Sequence, residues 1–404
     1  MLVIVAPGQG SQTPGFLAPW LEVPGVAARL DWLSAVAGLD LTRHGTVSDA
    51  ETLRNTAVAQ PLIVAGGMVS LLSLFPHPSD AYGVIGAGAG HSVGEITAAA
   101  AAGVITAEQA MVLVRERGFA MARAVESADV PTGMSAVIGG DPDEVRAAIA
   151  GHGLSAANVN AAGQVVAAGP LAALATLAAA PPARTRVVPL QVAGAFHTDY
   201  MAPAADLLAT YTPAITTHDP RVRLVSNADG HVVHDGREVL RRIVDQTRRP
   251  VRWDLCLETF KDLGVTGLIE IPPAGTLSNL AKRALPGVEI LALKTPDDLD
   301  AAQTMIARHG SPGPLVGSPS WRIVVAPSKG MVHRVDLTEG DPVTAGAHVA
   351  TVRGRHADKD VHAMHDGTVV EWLVEEGDPV APGQPLVRLM PAVPADGQFA
   401  AAQQ

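Results

Sequence analysis

Strand-like and helix-like patterns of apolar residues alternate along the first 310 residues. The chain opens with Met1-Leu-Val-Ile-Val-Ala6, an apolar run that ends at a glycine-rich turn. This run is typical of a buried first strand and lacks the basic region and cleavage site of a secretion signal. A second strand is predicted over residues 82–85, with a helix over 95–102 after the next glycine-rich turn. The repeated strand–helix order predicts an α/β domain built on a mostly parallel sheet.

Residues 127–194 depart from this alternation. The pattern predicts six elements in the order βαββαβ, at residues 134–138, 142–151, 156–159, 164–167, 170–180 and 186–192. That order is characteristic of a ferredoxin-like unit, so we expect one inserted in the larger domain.

Two long stretches carry no formal charge, residues 55–79 and residues 147–183. A membrane span needs about 20 strongly apolar residues. The first stretch is interrupted by Pro61, and the second is rich in Ala and Gly and contains Asn158 and Asn160. Both are therefore interpreted as buried elements of a soluble fold, and no membrane association is expected.

A glycine-, proline- and serine-rich segment divides the chain. It predicts a domain over 1–310, a linker over 311–320, a second domain over 321–391 and a disordered tail over 392–404. The second domain contains an internal repeat with an offset of 37 residues. The repeated pattern is Ala326…Gly330…Gly340-Asp-Pro-Val343…Gly346, which recurs as Ala363…Gly367…Gly377-Asp-Pro-Val380…Gly383. Each half is predicted to form short strands joined by glycine turns.

Composition and charge narrow the functional classes. Only 14 of the 404 residues are aromatic, so the core must consist mainly of Ala, Val and Leu. The net charge of −11, from 29 basic and 40 acidic residues, argues against a general nucleic-acid binder. Cys256 is the single cysteine, which excludes an internal disulfide and predicts a reducing, cytoplasmic location.

Two glycine-rich turns carry candidate chemistry. Gly90-His-Ser-Val-Gly94 fits the pattern G-x-S-x-G, in which a tight strand-to-helix turn presents a nucleophilic serine, here Ser92. The alternative is a plain turn in which the serine caps a helix. Pro7-Gly-Gln-Gly-Ser-Gln12 can present main-chain N–H groups to an oxyanion, or can simply connect a strand to a helix.

Two further candidate functional residues, His197 and Arg117, each have a simpler structural interpretation when considered alone. His197, in Phe196-His197-Thr198, offers a general base, although a lone histidine is more often structural. Arg117 falls in a helix predicted over 107–124, where a solvated helix face is the simpler interpretation.

Taken together, these motifs resemble the malonyl-CoA:acyl carrier protein transacylases over about residues 1–308, and this resemblance implies a hydrolase-like parallel-sheet core. The resemblance extends to Asn158-Val-Asn160, Ser226-Asn-Ala-Asp229 and the segment from Gln246 to Trp253. One departure is Pro272-Pro273-Ala274, where the family usually has Gly-Pro-Gly.

The resemblance implies transfer of a malonyl group from malonyl-CoA to the phosphopantetheine thiol of an acyl carrier protein, for fatty acid or polyketide synthesis. It implies that Ser92 is the nucleophile, with His197 as base, and that the N–H groups of Gln9 and Val93 bind the oxyanion. It further implies that Arg117 binds the malonyl carboxylate, that main-chain carbonyls near Gln246 orient His197, and that Asn160 lies at the site's mouth. Phe196 would favour malonyl over methylmalonyl units. Basic residues that could receive an acidic carrier protein are Arg184, Arg186, Arg248, Arg249, Lys282 and Arg283.

Residues 321–391 resemble biotinyl/lipoyl domains, which are flattened all-β barrels of two similar halves. The modified lysine of those domains corresponds to His356 here, so we expect no biotin or lipoyl cofactor. Modification of Lys359, three residues away, is the less favoured alternative. Nearby candidate metal ligands do not have the spacing of a known site, so no metal is expected; they are His356, His362, His365, Asp358 and Asp360.

Two other functions remain open from the sequence. A serine thioesterase or hydrolase would use the same nucleophile turn, although it would have no use for Arg117 on a neutral ester. A non-catalytic carrier or scaffold would act through the C-terminal barrel.

Overall fold

The computed structural model describes residues 1–161, 163–310, 322–355, 357–364 and 366–391. These residues form two compact units, one within 1–310 and one within 322–391. The predicted linker over 311–320, the predicted tail over 392–404, His356 and His365 lie outside the described residues. Strands and helices are labelled below in chain order.

A six-stranded sheet forms the centre of the first unit. Its strands are β1 (Leu2–Ala6), β2 (Ile85–Gly90), β7 (Arg223–Val225), β8 (Val232–Val233), β10 (Gly267–Glu270) and β11 (Glu289–Ala292). The order is β11-β10-β1-β2-β7-β8, and every pairing is parallel except that of β7 with β8. This confirms the predicted parallel α/β core.

Helices cover both faces of this sheet. They are α1 (Val26–Ala37), α2 (Leu41–Thr46), α3 (Thr56–Leu74), α4 (Pro78–Tyr82), α5 (Gly94–Ala101), α6 (Ala107–Glu126), α9 (Ala202–Tyr211), α10 (Gly236–Asp245), α11 (Trp253–Asp262), α12 (Thr276–Ala284) and α13 (Leu299–His309). Short 3-10 helices occupy Ala18–Glu22, Thr52–Arg54, Asp199–Met201, Thr212–Ala214, Gln246–Arg248 and Pro296–Asp298. In β1, Ile4 contributes to one apolar core, whereas Val3 and Val5 contribute to the other. Burial on both faces explains why the first strand is continuously apolar.

The uncharged stretch at 55–79 contains α3. By length and composition alone α3 could cross a membrane, but most of it is buried inside the protein. It packs against α1, α5 and α6, and Asn55 caps its first turn by accepting a hydrogen bond from the amide of Ala57. The structure therefore supports the interpretation of this stretch as a core element of a soluble fold.

The strand before the serine turn was predicted wrongly. Residues 82–85 are not the strand, because Tyr82 ends α4 and β2 begins only at Ile85. β2 has the sequence Ile-Gly-Ala-Gly-Ala-Gly, whose residue types are poor strand formers. Close packing accounts for this composition: a Cβ on Gly90 would lie 1.9 Å from the carbonyl carbon of Gly94.

The ferredoxin-like insert is confirmed. Its elements are β3 (Thr132–Gly139), α7 (Pro142–Gly151), β4 (Ser155–Ala161), β5 (Gln164–Pro170), α8 (Leu171–Ala179) and β6 (Thr185–Pro189). The strand order is β6-β3-β5-β4, extended by β9 (Val251–Arg252) parallel to β4. The last strand ends at Pro189, three residues earlier than predicted. The uncharged stretch over 147–183 therefore supplies α8, β4 and β5 of this insert, as well as most of its core.

The second unit is all-β. Its strands are β12 (Arg322–Val325), β13 (Gly330–Arg334), β14 (Pro342–Val343), β15 (His348–Arg353), β16 (Asp358–His362), β17 (Gly367–Trp372), β18 (Pro379–Val380) and β19 (Pro385–Pro391). They form two four-stranded sheets, β12-β19-β17-β14 and β16-β15-β13-β18, around one apolar core.

The 37-residue repeat corresponds to an approximate two-fold relation between these sheets. β13, β14 and β15 begin 37 residues before β17, β18 and β19, and they occupy equivalent places in the opposite sheet. Gly346 N–H donates to Ala363 O at 2.7 Å, and Gly383 N–H donates to Ala326 O at 2.8 Å. The two glycines have φ values of 83° and 80°, a left-handed conformation that explains why glycine recurs there.

Candidate active site

Ser92 lies on the turn between β2 and α5. Its φ of 54° is in the left-handed region, where the backbone of a residue other than glycine is strained. Glycine is required on both sides, because a Cβ on Gly94 would lie 2.3 Å from the carbonyl oxygen of Ala6. The glycine-rich turn after β1 lies against this one, since a Cβ on Gly8 would lie 3.5 Å from Ser92 Cβ. The G-x-S-x-G motif thus forms the predicted strand-to-helix turn.

His197 lies beside the serine. Its Nε2 is 2.7 Å from Ser92 Oγ, and its Nδ1 is 2.8 Å from the main-chain oxygen of Gln246. If Nδ1 carries the proton and donates to this carbonyl, Nε2 is free to accept the serine proton. Burial, followed by the nearby positive charge of Arg117, lowers the pKa of His197 to about 3. The imidazole is therefore neutral near pH 7, which is the state needed in a general base.

Arg117 is buried, with only 1% of its surface exposed. One terminal nitrogen donates to Gln60 Oε1 at 2.6 Å; the other donates to Gln246 Oε1 at 3.2 Å and lies 3.4 Å from Ser92 Oγ. Its Nε has no hydrogen-bond partner in the described part of the chain. Burial lowers the pKa of Arg117 to about 10, so it remains charged at neutral pH. The simpler interpretation of Arg117 as part of a solvated helix face is therefore wrong.

The main-chain amides of Gln9 and Val93 flank the serine turn. Within the described residues neither N–H has a hydrogen-bond acceptor. The side chain of Gln9 is held elsewhere, because its Nε2 lies 3.4 Å from both Arg54 O and Thr56 Oγ1. These two N–H groups are thus available to an oxygen that develops negative charge.

The serine and histidine open into a cleft of about 410 Å³. Phe196, which is buried, lines the cleft beside His197. Asn160 also lines it, and its Oδ1 accepts a hydrogen bond from His91 Nε2 at 2.9 Å. The ferredoxin-like insert forms one wall through Met134, Ala136, Asn158, Asn160, Gln164 and Val166. Eight residues singled out from the sequence are therefore gathered in or directly behind this cleft.

The turn that departs from the usual Gly-Pro-Gly is stabilised by a buried carboxylate. Glu270 accepts hydrogen bonds from the amides of Gly275, Leu277 and Ser278, at 2.7–2.9 Å. These bonds satisfy the free N–H groups at the start of α12. Leu277 and Leu280 of α12 line the cleft, so this helix lies beside the site despite the altered turn.

Four further residues at the site had no role assigned from the sequence: Gln60, His91, Glu95 and Asn227. Asn227 Oδ1 accepts from the amide of Ser92 at 2.9 Å, and its Nδ2 donates to Gly90 O at 2.7 Å. His91 and Asn227 occur in motifs quoted above, and Glu95 directly follows one of them; this was the only available signal. The contacts of Asn227 with Gly90, Ser92 and Glu95 join segments more than 130 residues apart, which sequence spacing does not reveal.

In the C-terminal unit, the sequence that joins β15 to β16 contains no lysine. Gly354 N–H donates to Ala357 O at 3.2 Å in this connection. Lys359 lies in β16, where its register partner is Val352. Within the described ranges, no group of three or more His, Cys, Asp or Glu side chains is arranged to hold a metal ion.

Comparison with known proteins agrees with this geometry. A family model described as "Acyl transferase domain" matches residues 3–302, and one described as "Biotin-requiring enzyme" matches residues 322–389. The chain is 50% identical over 305 residues to the malonyl CoA-acyl carrier protein transacylase of Mycobacterium bovis, covering 74% of this chain and 98% of that protein.

Solved structures give the same result. The crystal structure of MCAT from Mycobacterium tuberculosis has 50% identity and a TM-score of 0.72, and the match covers 75% of this chain and 99% of that one. A malonyl-transacylase solved in complex with a type II PKS acyl-carrier protein has 31% identity and a TM-score of 0.69, with 75% and 99% coverage. The chain therefore belongs to the acyl transferase family, among relatives that are malonyl CoA-acyl carrier protein transacylases, and it carries an additional C-terminal domain of the biotinyl/lipoyl type.

Proposed function

We propose that this enzyme transfers the malonyl group of malonyl-CoA to the phosphopantetheine thiol of an acyl carrier protein, in fatty acid or polyketide synthesis. The observation that carries the proposal is the position of Arg117, a buried cation 3.4 Å from Ser92 Oγ. A serine nucleophile alone fits many acyl substrates. A buried guanidinium beside it selects an acyl group that ends in a carboxylate.

In the first half-reaction, Ser92 Oγ attacks the thioester carbonyl carbon while His197 Nε2 takes the hydroxyl proton. The carbonyl oxygen becomes an oxyanion, which the N–H groups of Gln9 and Val93 stabilise. When the intermediate collapses, the C–S bond breaks and His197 returns the proton to the sulfur of coenzyme A. The product is a malonyl ester on Ser92.

In the second half-reaction, the carrier's thiol gives its proton to His197, and its sulfur attacks the ester carbonyl. The C–O bond to Ser92 then breaks, and His197 returns the proton to Ser92 Oγ. The carbonyl of Gln246 fixes the ring throughout, because it accepts from Nδ1 at 2.8 Å. A main-chain carbonyl thus takes the orienting place that a carboxylate has in a Ser-His-Asp triad.

Phe196 supports selectivity for the unbranched malonyl unit. It is buried in the cleft wall next to His197, where an extra methyl on the α-carbon would need space. One methyl group contributes only about 1–3 kcal/mol to discrimination, so the preference is expected to be graded rather than absolute.

Steady-state transfer from malonyl-CoA to a holo acyl carrier protein tests the function. We expect parallel double-reciprocal lines, as a covalent intermediate requires, and no transfer by the Ser92→Ala variant. Release of free malonate at the same rate without carrier protein would instead indicate a thioesterase. This outcome would contradict the transferase proposal.

The acyl carrier protein is proposed to dock beside α12. Lys282 and Arg283 are exposed on this helix, whose Leu277 and Leu280 line the cleft, and acyl carrier proteins are acidic. The Lys282→Glu/Arg283→Glu double variant should raise KM for the carrier protein at least tenfold and leave KM for malonyl-CoA unchanged. An equal change in both constants would contradict docking at this helix.

We propose that the C-terminal domain carries neither biotin nor a lipoyl group. This rests on the place of Lys359 within a paired strand rather than at the hairpin tip. Intact-mass analysis of protein isolated from its own cells should give the unmodified mass. An added biotin or lipoyl mass would contradict the proposal.

The enzyme is proposed to act in the cytoplasm. Cys256 is the single cysteine and is buried, so the fold uses no internal disulfide. Cell fractionation should recover the protein with cytoplasmic markers, and its recovery with membranes would contradict this location.

A further inference from the structure

Glu95 is a buried carboxylate that the acyl-transfer chemistry above does not use. It lies in the first turn of α5, three residues after Ser92, and only 6% of its surface is exposed. An ionised carboxylate is costly to bury unless hydrogen bonds satisfy its oxygens. Its two oxygens have separate partners, and both partners are part of the site.

The first partner is Asn227, whose main-chain N–H donates to Glu95 Oε1 at 2.6 Å. The side chain of Asn227 holds the nucleophile turn at two points, accepting from the amide of Ser92 and donating to the carbonyl of Gly90. Glu95 therefore fixes the residue that fixes the strained serine.

The second partner is Gln246, whose Nε2 donates to Glu95 Oε2 at 2.5 Å. The other end of the same amide, Oε1, accepts from Arg117 at 3.2 Å. The side chain of Gln246 thus bridges a carboxylate and a guanidinium, while its main-chain oxygen orients His197.

The bridging amide has a functional consequence for Arg117. If Glu95 paired directly with this guanidinium, it would neutralise the charge that an anionic acyl group needs. The two charges are instead separated by the side-chain amide of Gln246. Arg117 is therefore held in position without forming an ion pair with Glu95.

We propose that Glu95 is a positioning residue, which through Gln246 and Asn227 holds His197, Arg117 and Ser92 in the geometry for acyl transfer. This inference rests on the proposed malonyl transfer and extends it to a residue that touches neither substrate nor the reacting atoms. The carboxylate must be ionised, since each of its oxygens accepts a hydrogen bond. Protonation would place a donor against one of these two N–H groups.

The surroundings of Glu95 place its protonation near neutral pH, where it should change the rate of acyl transfer. Burial raises the pKa of Glu95 to about 7, against the opposing effects of the Asn227 hydrogen bond and of the Arg117 and Arg242 charges. The other titratable group facing it is the Cys256 thiol, which is kept neutral because burial raises its pKa. Activity should therefore fall as the pH drops below about 7, while His197 remains neutral well below that pH.

The test is the pH dependence of Ser92 acylation by malonyl-CoA, measured on the full chain in single-turnover experiments from pH 5.5 to 8.5. The wild type should lose rate on the acid side with a midpoint near pH 7. The Glu95→Gln variant should be at least tenfold slower at pH 8, and this acid limb should disappear because the amide does not titrate. The Glu95→Asp variant should be slow as well, yet retain the limb.

Glu270→Gln is the matched control, since it also removes a buried, fully hydrogen-bonded carboxylate. It should lower the melting temperature as Glu95→Gln does, but keep the acid limb. A Glu95→Gln variant that acylates at the wild-type rate, or is slow with an unchanged limb, would overturn the inference. If Glu95→Gln does not fold, loss of the limb in the Glu95→Asp variant would overturn it. Absence of acylation in the wild type would contradict malonyl transfer itself, so the two failures are distinguishable.

Discussion

Burial determines the chemistry of individual residues at this site. His197 and Arg117 are both almost completely enclosed, and each has a pKa below its ordinary value. For His197 the result is a neutral base; for Arg117 the charge persists, because its pKa of about 10 is still well above neutral. One neutral acceptor and one cation therefore face the same hydroxyl, that of Ser92.

Arg117 should determine which acyl groups react. Replacement by Ala removes the carboxylate partner, and loss of one member of a buried charge pair costs roughly 2–5 kcal/mol. We expect kcat/KM for malonyl-CoA to fall on the order of 100-fold, with a much smaller change for acetyl-CoA, which has no carboxylate. Stopped-flow acylation with both thioesters measures this ratio. An equal loss with both substrates would contradict a carboxylate-binding role.

Arg117→Lys is the matched variant that retains the charge. The lysine ammonium cannot form the planar, two-pronged contact with a carboxylate. It also cannot replace the two guanidinium nitrogens that donate separately to Gln60 and Gln246. It should recover only part of the malonyl rate. Full recovery would show that charge alone is sufficient.

At the scale of elements, the tight turn between β2 and α5 allows the serine to face the cleft. A Cβ added at Gly90 would overlap the backbone of Gly94 at 1.9 Å, which no side-chain movement relieves. Gly90→Ala should destabilise the domain by about 3 kcal/mol or more and abolish acylation. Gly151→Ala is the control, because nothing lies within 4 Å of the added carbon at the end of α7. Thermal unfolding of both variants measures the difference, and similar melting temperatures would contradict the packing argument.

The elements also show where sequence reasoning succeeds and where it fails. The βαββαβ insert was predictable, because short apolar runs and a helix-capping residue, Asp141, are local signals. β2 was misplaced because it is rich in glycine, which close packing against α5 requires at Gly90 and which strand propensity does not favour.

Some residues of the site could likewise be predicted from the sequence, whereas the contacts between them could not. Ser92 and its glycine turn could be recognised from a short motif, and the resemblance supplied His197 and Arg117. The bridge from Glu95 through Gln246 to Arg117 could not be predicted, since it joins three segments that meet only in the folded domain. Physical reasoning from the sequence alone also favoured an exposed Arg117, which the structure shows to be buried.

At the scale of the whole molecule, each unit has its own apolar core. The core of the C-terminal unit consists only of residues between 324 and 389, and those of the first unit end at residue 306. The relative from Mycobacterium bovis is covered over 98% of its length by the first three quarters of this chain. The acyl transferase domain thus resembles a complete enzyme.

Truncation after Gly310 should therefore leave acyl transfer intact. We expect kcat/KM for malonyl-CoA within about twofold of the full chain, because every residue assigned to the site lies before residue 281. Steady-state kinetics of the two forms measures this. A tenfold loss on truncation would show that the C-terminal domain contributes to catalysis.

The central claim is that Ser92 carries the malonyl group between coenzyme A and the carrier protein. The most direct measurement is mass spectrometry of the enzyme after brief incubation with malonyl-CoA, with peptide mapping and the Ser92→Ala variant as control. We expect one malonyl adduct on Ser92 that disappears when holo acyl carrier protein is added. An unmodified Ser92, or an adduct that persists in Ser92→Ala, would contradict it.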